Sequence, residues 1–287
     1  MLTLLKPVTW FPPMWAYVCG IVAAGQPLGE RWAYIPLGLV LTGPIVCAAS
    51  QATNDWFDRE VDAINEPHRP IPSGRIPGQW GLAIALAWSV LSLVASIPLG
   101  PWGIGATVVA LILSWMYSAP PFRLKRNGWF GNAAVGFTYE GLAWVTGTAV
   151  MLGGRAPATE VLVIAALYSI GAHGIMTLND FKSIDGDRRV GLGSLPARLG
   201  PHRAGVIACA TMAGAQAIVV ALLFIWDRPW QGAIVAAVLL AQLPLMRRWL
   251  AQPRELAPWY NQTGVSLFVF GMMAAAVALR PISGGTP

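Results

Sequence analysis

The acidic residues of this chain are few and unevenly placed, and their placement is its strongest chemical signal. Of 13 Asp and Glu, eight fall in two short segments: Asp55, Asp58, Glu60, Asp62 and Glu66, then Asp180, Asp185 and Asp187. Both segments open on the same dipeptide, Asn54-Asp55 and Asn179-Asp180. Asn54, Asp58 and Asp62 recur at i, i+4 and i+8, with Asp55 three before Asp58, so a helix running through them presents all four side chains on one face. Like charges stacked in this way repel unless a cation lies between them. Oxygen donors with little sulfur or imidazole nearby suit Mg2+, which takes a few carboxylates and completes its shell with water and phosphate oxygens. The competing reading is a solvated acidic loop. Apolar sequence abuts each cluster, ionisable groups beside hydrocarbon are costly, and the metal reading is therefore favoured.

Basic residues gather in loops between and after the acids. The proline-stiffened segment 68–75 carries Arg69 and Arg75, and the segment 117–126 carries Tyr117, Arg123, Lys125 and Arg126. Lys182 lies two residues after Asp180 in the second acidic segment. Arg grips phosphate oxygens as a bidentate fork and Lys as a point charge. Some of these cations only set topology at a headgroup surface. Carboxylates for a metal, cations for phosphate and an apolar cavity behind them describe a site for a lipid pyrophosphate.

The elements that must position these groups are apolar. The 287 residues are 55% hydrophobic and 11% charged, too little polar surface for a water-soluble globule of this size. Nine apolar stretches, residues 8–24, 33–53, 80–98, 102–117, 129–152, 159–178, 204–226, 230–246 and 263–279, are candidate crossings, each near the length a hydrocarbon core requires. With the N-terminus cytoplasmic, this alternation puts 15 of the 19 Lys and Arg on the cytoplasmic side, together with both acidic clusters. The net charge of +6 then reads as membrane topology, not nucleic-acid binding. Cys19, Cys47 and Cys209 lie singly in different stretches without disulfide or metal spacing. The N-terminus lacks a leader-like pattern. The expectation is an all-α integral membrane protein, one domain over 1–287.

The stretch 54–62 resembles the N-D-x-x-D-x-x-x-D signature of the membrane prenyltransferases typified by 4-hydroxybenzoate polyprenyltransferase. The continuation 63–75, the segments 117–126, 171–182 and 194–196, the late loop 258–261 and the opening 6–13 look like the chlorophyll and bacteriochlorophyll synthase branch. The resemblance covers nearly the whole chain. It implies a bundle of nine transmembrane helices around a central cavity in a bacterial inner membrane, with both aspartate motifs at the cytoplasmic mouth. It also implies transfer of a geranylgeranyl or phytyl group from its pyrophosphate to the propionate carboxylate of (bacterio)chlorophyllide, with Mg2+ as cofactor. Pigment-biosynthesis or photosystem-assembly proteins are expected partners. The metal ligands would come from Asn54, Asp55, Asp58, Asp62, Asp180, Asp185 and Asp187. The second motif departs from the usual D-x-x-x-D, with gaps of five and two; Asp180 and Asp187 are preferred over Asp185. Asp58, Asp62, Asp180, Asp187 and Lys125 would be catalytic, and Asn54, Arg69, Arg75, Arg126, Lys182 and Tyr117 would bind the substrate.

Two groups inside apolar stretches stand apart. Glu140 is an isolated carboxylate and reads as a polar contact to a cavity. His173 reads either as a substrate contact, including a ligand to the pigment's central magnesium, or as a packing histidine. Tyr139, Trp144 and Trp115 are candidates to face a prenyl carbocation. A secondary carrier is the alternative from another class, but its site belongs near the midplane, whereas these acids gather at one surface. A prenyltransferase for a quinone precursor or haem is the alternative within the same class.

Overall fold

The computed structural model describes residues 1–189 and 191–283. Its long helical elements are α1 (Phe11–Ala23), α2 (Tyr34–Val40, Leu41–Cys47 and Ala48–Asn65), α3 (Trp80–Ser96), α4 (Gly100–Ser118), α5 (Gly128–Gly136, Phe137–Leu142 and Ala143–Met151), α6 (Thr159–Asn179), α7 (Pro201–Ile225), α8 (Pro229–Ala251) and α9 (Ala257–Ser283). No β-strand forms among the described residues. By length and composition six segments could cross a bilayer: Tyr34–Ile64, Trp80–Ser118, Thr159–Arg189, Pro201–Ile225, Pro229–Ala251 and Ala257–Arg280. Trp80–Ser118 doubles back on itself at Gly100, where φ is +71°, a conformation glycine adopts freely, so that α3 and α4 pack together.

Two helices contain π-helical segments, and both face the same space. In α2 the segment Leu41–Cys47 contains Pro44, whose missing N–H breaks the regular ladder. The indole Nε1 of Trp88 on α3 donates to Pro44 O at 3.2 Å. The α5 segment Phe137–Leu142 contains no proline.

In lipid, apolar surface gives helices little reason to associate, so close packing of small residues carries the contact. The α1–α5 crossing shows this. A Cβ on Gly20 would lie 2.0 Å from Trp144 O, and one on Gly147 would lie 2.4 Å from Tyr17 O. Thr148 Oγ1 donates to Gly20 O at 2.9 Å across the same seam. Next to it Trp144 stacks on Tyr168, and Phe268 meets Tyr168 edge-on, tying α5 to α6 and α9. Gln242 donates to Gln216 Oε1 at 2.6 Å inside the α7–α8 pair. Large apolar side chains such as Ile225, Leu240 and Trp230 point outward, as a lipid-facing surface requires.

The connections that carry the charged residues interlock at one end of the bundle. The N-terminal turn Leu2–Leu5 buries Leu4 against Ala52, Ile76 and Ala85. A short parallel bridge joins Asn127 to Gly193, with Gly128 N donating to Gly193 O at 3.0 Å and Gly193 N to Arg126 O at 3.1 Å. A Cβ on Gly193 would sit 2.6 Å from Arg126 O, so this approach of two backbones depends on glycine. The bridge sets the Lys125 loop beside the segment that follows Asp187.

Candidate active site

The predicted helix face forms: Asn54, Asp55, Asp58 and Asp62 all lie in the Ala48–Asn65 part of α2. Their partners divide them. Asp58, with 15% of its side chain exposed, accepts from Lys125 Nζ at 2.5 Å and Arg123 Nη2 at 3.2 Å. Asp55 lies one turn earlier and is 2% exposed, accepting from Lys6 Nζ at 2.5 Å and meeting Arg69 at 3.5 Å. Asp62 is buried and accepts from Arg69 Nη1 at 2.8 Å. Asn54 reaches Ser118 Oγ on α4 at 3.5 Å.

Burial pulls the Lys125 ammonium below the ordinary lysine range, while Asp58 beside it and its hydrogen bond pull the other way. Burial also works against Arg69, but Asp62 and Asp55 outweigh it and hold the guanidinium above its ordinary value. Arg123 reaches Asp58 from a left-handed backbone, φ +40°, which a non-glycine residue adopts only under the hold of its surroundings.

The second cluster faces the first. Asp180 Oδ2 accepts from Asn132 Nδ2 at 3.3 Å, and the same amide donates to Thr177 Oγ1 at 3.1 Å. Asp187 Oδ2 accepts from Ser183 Oγ at 2.9 Å and Ser194 Oγ at 2.5 Å. Asp58 lies within electrostatic reach of Asp187, and Asp58, Asp180 and Asp187 all lie within reach of the Tyr117 hydroxyl. The Lys125 ammonium sits 6.0 Å from the centre of the Tyr117 ring. Asn54, Asp58, Lys125, Tyr117, Asp180 and Asp187 are thus brought to one mouth.

Other predicted residues fall elsewhere. Asp185 is exposed and pairs with Arg254. Arg75 closes its own loop on His68 O and Ser73 Oγ. Arg126 is exposed and contributes its carbonyl to the loop bridge, and Lys182 is exposed within reach of Asp180. Glu140 is buried in the α5 π-segment with Oε2 unbonded and Cys19 of α1 within electrostatic reach. His173 is buried with its ring 5.4 Å from Trp129, and neither ring nitrogen makes a hydrogen bond of ordinary geometry. Sequence reasoning missed Asn132, Ser183 and Ser194; of these, Asn132 had a readable signal, a lone amide in an apolar stretch.

Below the mouth a cleft opens between α2, α4 and α5. Its lining runs from Tyr117 and Ser50 near the carboxylates to Leu41, Gly103 and Leu142 farther in, with Tyr139 on one wall. Trp144 and Trp115 are not part of it. Trp144 stacks in the α5–α6 core, and Trp115 lies edge-on to Phe57 and donates to Ser89 Oγ.

Among the described residues no three His, Cys, Asp or Glu side chains converge closely enough to hold a metal by themselves. The mouth instead offers opposed pairs of hard oxygen donors with cations beside them. That set fits Mg2+, which is content with one or two carboxylates when phosphate oxygens complete its octahedron. It does not fit a protein-only cage.

Comparison with known proteins shows the family and the fold. A Cereibacter sphaeroides protein named bacteriochlorophyll synthase 33 kDa chain is 56% identical over 280 residues, covering 98% of this chain and 92% of that one. A chloroplastic chlorophyll synthase of Oryza sativa is 35% identical, covering 96% of this chain and 76% of that one. Among solved structures, a UbiA homolog from Archaeoglobus fulgidus bound to DMAPP and Mg2+ superposes with a TM-score of 0.72 at 20% identity, covering 96% of this chain and 99% of that one. Residues 11–272 match the model of the UbiA prenyltransferase family, and the chain belongs to that family.

Proposed function

We propose that this chain transfers a geranylgeranyl or phytyl group from its pyrophosphate to the propionate carboxylate of bacteriochlorophyllide. The observation that carries the reading is the meeting of Asp58 and Lys125 with Asp180 and Asp187 at the mouth of an apolar cleft. The identity to the bacteriochlorophyll synthase chain supports the acceptor.

Asn54 and Asp58 on α2, and Asp180 and Asp187 after α6, would hold Mg2+, with Asp62 behind them steadied by Arg69. When bound, the metal supplies Lewis-acid stabilisation of the departing pyrophosphate. Lys125 and Arg123 contribute fixed positive charge to the same oxygens. The allylic C1–O bond breaks with its electron pair leaving on pyrophosphate. A carboxylate oxygen of the acceptor then gives an electron pair to C1 and forms the ester. The acceptor is ionised at neutral pH, so no proton moves and no general base is needed. The cleft holds the prenyl chain away from water, which would otherwise capture the cation. Asp55 and Asp185, paired with cations elsewhere, stand outside this ligand set.

The orientation and count of the crossings belong to the same reading. Nine crossings result when Trp80–Ser118 is taken as α3 and α4, and α1 and α5 join the remaining candidate spans. The basic loops then favour a cytoplasmic N-terminus and a cytoplasmic mouth in the bacterial inner membrane. The test is incubation of membranes containing the protein with Mg2+, geranylgeranyl pyrophosphate and either bacteriochlorophyllide or 4-hydroxybenzoate. Esterified pigment that disappears on chelation and returns with added Mg2+ is expected. Prenylated hydroxybenzoate alone would overturn the acceptor, and no prenylated product from either would overturn the reading.

A further inference from the structure

Ionisation of an allylic pyrophosphate places a delocalised cation just below the carboxylates, in a cleft whose walls are otherwise aliphatic, small or hydroxylic. The aromatic rings lining the cleft are those of Tyr117 and Tyr139. Tyr117 belongs to the upper layer, with Lys125 near its ring and three aspartates in reach of its hydroxyl. Tyr139 lies deeper and is fixed by unusual means. Its phenol oxygen accepts from Gln51 Nε2 at 3.2 Å and from Cys47 Sγ at 3.2 Å, both on α2. Cys47 Sγ is in turn 3.4 Å from Thr9 Oγ1. The contact joins the end of the α2 π-segment to the middle of the α5 π-segment, two irregularities that share this cleft.

The depth suits the reacting carbon. Gln51 precedes Asp58 by seven residues on one continuous helix, which at 1.5 Å per residue sets it about 10 Å below. Helical side chains all lean toward the N-terminus, so the Asp58 carboxylate and the Gln51 amide keep about this offset. A pyrophosphate held at Asp58 would span part of that offset, with C1 and its double bond directed toward the level of the Tyr139 ring and the rest of the chain toward the aliphatic end of the cleft.

We infer that Tyr139 is a catalytic residue whose ring, pinned by Gln51 and Cys47, faces the allylic carbons of the prenyl donor and stabilises positive charge as the C1–O bond breaks. The inference rests on the proposed prenyl transfer. An aromatic face attracts a cation most strongly where water is excluded, and the ring also bars water from C1. Without it, water competes: its oxygen bonds C1, a proton passes to bulk solvent, and free prenyl alcohol leaves in place of ester.

The experiment compares wild type, Tyr139→Phe and Tyr139→Leu in detergent with Mg2+, geranylgeranyl pyrophosphate and bacteriochlorophyllide, reading ester, free prenyl alcohol and released pyrophosphate. Tyr139→Leu is expected to lose roughly 10- to 30-fold in kcat, with the donor KM nearly unmoved and a larger share of alcohol per pyrophosphate released. Tyr139→Phe keeps the ring face but loses its two tethers and falls between the two. An alcohol share per pyrophosphate in Tyr139→Leu no greater than in wild type or Tyr139→Phe, or a loss confined to KM, would overturn the inference even if both variants melt early, because ratios of products and KM do not depend on the folded fraction. A wild-type protein that forms no ester from this donor and acceptor fails the proposed function itself, whereas wild-type turnover with an unaffected Tyr139→Leu fails this inference alone.

Discussion

Replacing Asp58 by Asn changes the charge at the centre of the mouth and almost nothing of its shape. The carboxylate now accepts two charge-assisted hydrogen bonds, from Lys125 at 2.5 Å and Arg123 at 3.2 Å. An amide oxygen can accept the same bonds, but bonds to a charged group are worth about 1.5–3 kcal/mol and neutral ones about 0.5–1.5 kcal/mol. The 7% exposure of the Lys125 side chain leaves the ammonium no easy retreat to water, so a fall in stability of about 2 kcal/mol is expected. The catalytic loss should be larger. Removing one preorganised electrostatic contributor to a transition state costs about 2.7–4 kcal/mol, or 10²–10³ in kcat. Lys125 and Arg123 remain to grip the pyrophosphate, so the donor KM should move far less than kcat. The assay is initial rate of pigment ester formation at saturating Mg2+ and donor, scaled by the folded fraction from a thermal melt. A folded Asp58→Asn protein with kcat within about threefold of wild type would refute the assignment, since no transition-state interaction would have been lost.

Asp55→Asn should show the opposite profile. It breaks a buried link to Lys6 and Arg69, and because both cations are partly exposed the loss is nearer 1–3 kcal/mol than the roughly 3–5 of a fully buried pair; a lowered melting temperature without a change in donor KM is expected. Asp185→Asn removes an exposed pair with Arg254, worth about 0–1 kcal/mol, and both melting temperature and Mg2+ dependence should stay at wild-type values; loss of Mg2+ response would place Asp185 among the ligands. Burial lowers the Lys125 pKa, so its charge is lost on raising pH earlier than an ordinary lysine's; kcat/KM should fall on the alkaline side below the ordinary lysine range, and Lys125→Arg should move that limb upward even as it reduces the rate.

The helix face of Asn54, Asp58 and Asp62 was legible because spacing and helix are both local. The direction of Asp55 was not, although it lies only three residues from Asp58. Its partners Lys6 and Arg69 lie 49 and 14 residues away along the chain, and no periodicity reports them. The surroundings that separate Asp187 from Asp185 were not legible either: Asp187 takes Ser183 and Ser194, whereas Asp185 turns out to Arg254, 69 residues on. Asn132 stood out as a lone amide in an apolar stretch, but its partner Asp180, 48 residues away, became readable only once α5 lay against α6. Pro44 could have announced the irregularity in α2, while that in α5 carries no such mark. The apolar stretches located the helical rods well. They stopped short at residue 53, because hydropathy ends where the acids begin, while the helix of α2 continues to Asn65.

The division between Asp55 and Asp58 explains how one dense acidic motif can be both stable and reactive. Carboxylates this close to one another are held in place only by cations. Asp55 and Asp62 are served by Lys6 and Arg69, which come from the N-terminal segment and the loop after α2 and so bind those segments to the bundle. Asp58 is served by Lys125 and Arg123, which come from the loop bridged to the second acidic segment. In the proposed reaction these two cations have another acceptor, the pyrophosphate, and Asp58 has another partner, the metal. Substrate binding is then an exchange in which each charged group leaves one opposite charge for another. On the protein's side such an exchange needs little further desolvation, because Asp58, Lys125 and Arg123 are already largely withdrawn from water. The costly step of burying charge is completed when the loops fold, before any substrate arrives, and the site meets its ligand with oxygens and cations already aimed.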